Sequence, residues 1–224
     1  MSKKMMLLAT ALTALAFAAL PAVASAGTPE THCPGGSPTC NISIASSTSS
    51  ELSRTANSQG IACSSFSGSG VMGTTGGSMA LTFHGCKETL FKSSCGTSAA
   101  GTGTIIFTSL PYDNIYTTDN KTSPGMLVTP AAGSSHFTSF KCLDGTHTVS
   151  GNGLIGSLSA PACGGSSASL TLSFTQASKG HQTHKQITGT GTVFDLEESG
   201  STAAQSGTGT VQATGGGEFT ITCP

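Results

Sequence analysis

Six histidines, ten carboxylates, many serines and eight cysteines are the side chains of this chain that could do chemistry. His181 and His184 form an H-x-x-H pair beside Lys185. Closely spaced histidines ligate zinc, but on a strand this spacing turns the two rings to opposite faces. The nearest acid is Asp195, so no third donor accompanies them. The pair reads as a solvated loop. No metal or other cofactor is expected, and His181 and His184 are the weak candidates for a metal if one binds.

Hydrolytic chemistry needs a nucleophile, a base and an orienting acid, recognised by geometry rather than order. His84, His136 and His147 are available bases, and Asp113, Asp119 and Asp144 available acids. The G-x-S-x-G elbow that would mark a nucleophile does not occur. Glu197-Glu198 lies in a Gly/Ser-rich stretch and reads as a solvated turn rather than as part of a glycosidase pair across a cleft. The chain has no Trp, and only Tyr112 and Tyr116 among tyrosines, so stacking platforms for sugars are scarce. Two stretches match G-x-G-x-x-G: Gly68/Gly70/Gly73 and Gly151/Gly153/Gly156. A nucleotide site would need a helix after those glycines. None is signalled, so they read as hairpin turns or bulges. Asn41 and Asn120 each open a glycosylation sequon.

The elements that must position such residues are strands. Met79-x-Leu81-x-Phe83, Ala168-x-Leu170-x-Leu172-x-Phe174 and Phe219-x-Ile221-x-Cys223 alternate apolar with polar residues, which commits one face of each strand to a core. Gly, Ser, Thr, Asn and Pro clusters separate the runs. The expected fold is all-β: an antiparallel sandwich or barrel of about ten to twelve short strands.

The first 26 residues read as an export signal. Lys3 and Lys4 precede an apolar stretch over 5–20, and Ala24-Ser25-Ala26 forms a small-residue cleavage site before Gly27. The stretch is short for a membrane span, which needs roughly 20 apolar residues, so none is expected in the mature chain. With Lys3 and Lys4 removed, seven basic residues face ten acidic ones, a net charge of −3. Arg54 is the one arginine, and without clustered basic residues a nucleic-acid partner is not expected. Other partners are unknown. Leu, Ile, Val and Phe number only 34 in residues 27–224, a thin supply for a core. An even cysteine count in an exported chain supplies the remedy, a disulfide framework.

An internal repeat runs through the chain. Cys63 and Cys142 each precede a glycine-rich hairpin, then a strand ending at Phe83 or Phe174, then a Gly-Thr-Gly-Thr strand at 101–107 or 189–194, then a strand running into a cysteine. Fixed order marks duplication. It divides the chain into a signal (1–26), a Cys/Ser-rich segment (27–60) and one β domain of two related halves (61–142 and 143–224). Eight cysteines allow 105 pairings. Cys86 and Cys95 both lie in a segment the second half lacks, which suggests Cys86–Cys95. Cys142 is the nearest cysteine upstream of Cys163, and Cys33–Cys40 and Cys63–Cys223 complete the division.

Phe83-His84-Gly85-Cys86, Leu110-Pro111, Ser123-Pro124-Gly125 and Gly151-Asn152-Gly153-Leu154-Ile155-Gly156 carry a resemblance. Over 77–174, about half the mature chain, the sequence resembles uncharacterised exported β-rich proteins of high-GC Gram-positive bacteria. The resemblance implies export and a β-fold, and no activity. Together these readings lead to an exported, non-catalytic structural or binding protein of the envelope or extracellular space, with a secreted hydrolase using a Ser/His site as the alternative. Short Gly-Thr-Gly-Thr strands also motivate binding to an ice or mineral surface.

Overall fold

The computed structural model describes residues 27–46, 48–55, 59–117, 122–159, 161–184 and 192–224. The signal stretch, Asp119, the Asn120 sequon and most of the second Gly-Thr-Gly-Thr run lie outside them. The strands are Glu30–His32 (β1), Thr39–Ser46 (β2), Ser50–Arg54 (β3), Gly60–Cys63 (β4), Ser65–Gly73 (β5), Gly76–His84 (β6), Lys87–Glu88 (β7), Thr104–Tyr116 (β8), Pro124–Val128 (β9) and His136–Cys142 (β10). Then follow Gly145–Gly151 (β11), Leu154–Ser159 (β12), Ser166–Ser167 (β13), Leu170–Phe174 (β14), Gln176–Ser178 (β15), His181–Gln182 (β16), Leu196–Glu198 (β17), Ser201–Ala213 (β18) and Phe219–Thr222 (β19). Six of these nineteen have only two or three residues, too few to leave an alternation signal, and they account for most of the excess over ten to twelve.

Eight strands close an antiparallel barrel, β2-β5-β6-β8-β9-β12-β14-β18, with Thr210 of β18 returning opposite Ala45 of β2. Ring order follows chain order, so the barrel is an up-and-down meander. Eight strands leave an interior that side chains just fill. Alternation supplies them: Met79, Leu81 and Phe83 of β6 and Leu170, Leu172 and Phe174 of β14 are all buried. Ala168, before β14, is exposed. Phe66, Phe83 and Phe107 pack in succession with tilted rings, centroids 5.3 and 5.4 Å apart. Ser and Thr take the outward positions, the reverse of a membrane barrel. No helix among the described residues is long and apolar enough to cross a membrane.

The glycine motifs are not chiefly turns, as the sequence suggested. Gly68 and Gly156 lie inside β5 and β12 and face the barrel interior. A Cβ on Gly68 would stand 2.7 Å from Leu81 Cδ2, and one on Gly156 2.7 Å from the Phe174 ring. In a narrow barrel, large rings need facing positions without side chains. Gly70 sits within β5, whereas Gly153 falls between β11 and β12, so the two are not equivalent. Phe83 and Phe174 stand four places apart in the ring.

A second sheet, β10-β11-β17-β18-β3-β4-β7, shares β18 with the barrel. Bridges Lys87–Ser94 and Gly96–Lys141 carry the pairing on to β10, so this sheet also curls into a ring. Residues 203–206 of β18 pair β3, and 207–211 pair β14. At the changeover Gly207 has φ 149°, a conformation that favours glycine.

Four disulfides staple the chain: Cys33–Cys40, Cys63–Cys86, Cys95–Cys142 and Cys163–Cys223. Cys33–Cys40 is the pair expected; Cys86–Cys95, Cys142–Cys163 and Cys63–Cys223 do not form. Each cysteine bonds its neighbour in sequence because a meander brings each segment back beside its start. Cys63–Cys86 brackets the β5–β6 hairpin, and Cys95 reaches Cys142 because Gly96 pairs beside it with Lys141.

Candidate functional site

The inside of the second ring is polar at one end. His147, on β11, shares its face with Val149 and stacks on Phe140 of β10, centroids 5.4 Å apart and planes 4° from parallel. On β17, Leu196 and Glu198 point inward and Glu197 outward; Glu198 is 1% exposed. Arg54 ends β3. Glu88, on β7, is 6% exposed. Asp144 lies in the tight turn joining β10 to β11.

These five side chains form one network. His147 Nδ1 donates to Glu198 Oε1 at 2.6 Å, and its Nε2 donates to Asp144 Oδ1 at 2.7 Å. Arg54 Nε stands 2.7 Å from Glu198 Oε2, and its Nη2 donates to Gln59 Oε1 at 2.7 Å. The Ser199 hydroxyl donates to Glu198 at 3.3 Å. Ser93 donates its hydroxyl to Glu88, and Glu88 lies against Asp144. The Glu198 hydrogen bond, helped by Asp144 and opposed by burial, pushes the His147 pKa up to about 8. Burial, then the neighbouring Asp144 charge, raises Glu88. Burial alone would raise Asp144, but its bond to His147 outweighs that and holds it low.

Glu88, Asp144, His147 and the Cys142 sulfur each bring a ligand-type atom within 4.8 Å of the others. Cys142 is bonded to Cys95, so its sulfur is no thiolate. His181 and His184, the candidates from sequence, gather no third donor among the described residues. His181 is exposed at the start of β16.

Both nitrogens of His147 face carboxylates, leaving neither for a serine hydroxyl. Among the described residues, Ser67 Oγ meets His84 Nε2 at 3.0 Å, between exposed side chains on the outer barrel face. Among the described residues no carboxylate pairs with His84, and Asp113 is exposed elsewhere on β8. A cavity of 20 Å³ lies where the rings meet, lined by Ser50, Leu52, Phe83, Phe107 and Phe140 among others. It has room for about one water.

Sequence reasoning missed Glu198, taken for a solvated turn, and did not single out Arg54 or Glu88. A signal was present. Period-2 alternation puts Glu198 on the face of Leu196, Glu88 on that of Cys86, and His147 on that of Val149. A carboxylate in phase with core residues must find a buried partner. Compared with protein-family models, curated proteins and solved structures, the chain finds no match.

Proposed function

We propose that this chain is an exported, non-catalytic barrel protein acting as a structural or binding module of the cell envelope or extracellular space. The outer barrel face carries the reading. Strand register aligns Ser159, Thr171, Thr210, Ala45, Ser67 and Thr82 in one row across six adjacent strands. Gln212, Ser43, Ser69 and Ala80 form a second row beside it. Neither row contains a charge. With the interior filled by the chain's own side chains, contact with a partner falls to this hydroxyl surface rather than to a pocket. Four disulfides suit an oxidising compartment. The same reading keeps the relation between halves 61–142 and 143–224: the opposite places of β6 and β14 in the ring favour it, and the unlike settings of Gly70 and Gly153 count against it.

The test uses oxidised, full-length mature protein. Ester, peptide and glycoside substrates should show no turnover. Insoluble peptidoglycan should retain the protein saturably, and Thr171→Lys with Thr210→Lys should abolish retention. Turnover that disappears in Ser67→Ala would establish the hydrolase instead, the reading the Ser67–His84 contact favours. Export itself is checked by N-terminal sequencing of secreted material, which should begin near Gly27.

A further inference from the structure

We infer that Glu88, Asp144 and His147 form a binding site for one divalent cation of the zinc class, backed by Glu198 and Arg54. Three separate elements of the second ring supply the donors: β7, the β10–β11 turn and β11. Their ligand atoms already lie within 4.8 Å of one another. An ion would draw them to about 2.0–2.2 Å from itself. Asp144, in an exposed turn with its side chain 35% accessible, can supply most of that movement.

This is more than a group of surface acids. Glu88 is buried, and among the described residues no Lys, Arg or His nitrogen forms an ion pair with it. It lies against a second carboxylate, with the His147 and Arg54 charges close enough to offset that repulsion only in part, so that Glu88 is still raised; a cation bound between the two carboxylates relieves the remainder. The imidazole is held as metal-ligating histidines are held: a carboxylate accepts from one ring nitrogen and aims the other at the ion. Glu198 does this at 2.6 Å from Nδ1, leaving Nε2 on the side of Asp144 and Glu88. Arg54, 2.7 Å from the other Glu198 oxygen, fixes that carboxylate in turn.

The donor set selects the ion. One imidazole nitrogen with two carboxylates suits zinc, whereas calcium and magnesium take shells of oxygen. Cys142, bonded to Cys95, adds no thiolate. Three protein donors leave the fourth position to water. On binding, His147 Nε2 and Asp144 exchange their mutual hydrogen bond for bonds to the ion, and the Nε2 proton passes to solvent.

The competing account is a lock of ion pairs with no affinity for metal. Calorimetry on the oxidised full-length mature protein, washed with chelator and titrated with zinc chloride, separates the two. One zinc per chain should bind saturably and raise the melting temperature, with no comparable response to magnesium. Asp144→Asn and Glu88→Gln should each weaken binding at least about tenfold, since each removes a ligand. Glu198→Gln, touching no metal, should weaken it about 10- to 100-fold. Replacing His181 and His184 together by Asn should change nothing. Absence of saturable binding, equal binding by the Asp144 and Glu88 variants, or loss in the His181/His184 variant overturns the proposal. If Glu88→Gln does not fold, X-ray absorption on the zinc-loaded wild type decides. A shell of one imidazole with oxygens supports the site, and sulfur or several imidazoles refute it.

Discussion

The barrel and the second ring share β18 and one apolar core, but the second ring alone buries a charged network at one end. The barrel packs Leu, Met and Phe against inward glycines, with Asn114 buried among them, and most of its Ser and Thr face out. The second ring buries a charged network of Arg54, Glu88, His147 and Glu198, with Asp144 at its edge. Apolar packing is non-directional and gains with every buried methylene. Buried charge gains only where each partner is present and well placed. The barrel should therefore tolerate chemical variation that keeps volume, and the second ring should depend on complete sets of partners.

The largest difference should come from the cross-links. Cys95–Cys142 spans 47 residues and Cys33–Cys40 only 7. By loop entropy, replacing the first pair with serines should cost about 4 kcal/mol and the second about 2 kcal/mol. Denaturant titration of the two double variants reads the ratio. Equal losses would mean that local packing, not loop length, sets the role of the staple in the second ring.

Within the barrel, Leu172→Ala and Leu81→Ala should each cost on the order of 2–5 kcal/mol, since both side chains are buried. The two losses should be similar and should add, because each removes only its own contacts. In the second ring the arithmetic should differ. Arg54→Met leaves Glu198 buried without its guanidinium and should cost about 3 kcal/mol. Adding Glu198→Met should recover part of that loss, because the stranded charge goes too. If the second substitution deepens the loss, the network behaves like the barrel core and the contrast fails.

The smallest effect separates the regions by pH. His147 has its pKa raised from 6.5 to about 8 in the folded chain, so the native state holds that proton more tightly. The stability it contributes is full below about pH 6.5 and is lost as pH rises through about 8, a change on the order of 1–2 kcal/mol. Asp144, held low, contributes above its ordinary 3.8 and loses that as pH falls. Glu88, raised, contributes below its ordinary 4.5 and loses that as pH rises. Melting temperatures in chelator should fall between pH 6.5 and 8.5, and His147→Gln should flatten the slope. A slope unchanged in that variant would place the titration elsewhere.

Much of the barrel was legible in the chain. Met79, Leu81, Phe83, Leu170, Leu172 and Phe174 were assigned to the core by alternation alone, and all are buried. The inward glycines were misread because a glycine in a strand gives no sign of the ring that fills its space. Shared absence from the second half pointed to Cys86–Cys95, nearness in sequence to Cys142–Cys163 and the remainder to Cys63–Cys223, whereas strand neighbours decide the pairs that form. Of the network, the sequence shows His147 and Asp144 only as separate candidates, and the Gly/Ser-rich surroundings of Glu198 resemble a solvated turn.

By itself the sequence determined strand character, the inward face of the long apolar runs, and the need for disulfides in a chain with so few large apolar residues. These follow from properties of adjacent residues: side chains alternate along a strand, and cysteines can be counted. Only the tertiary structure decided that the sheet closes at eight strands, that cysteines join in chain order, and that Arg54, Glu88, Asp144, His147 and Glu198 meet. Those outcomes depend on which strands pair and in what register. Hydrogen bonds between residues far apart in sequence set both, and no local spacing records them.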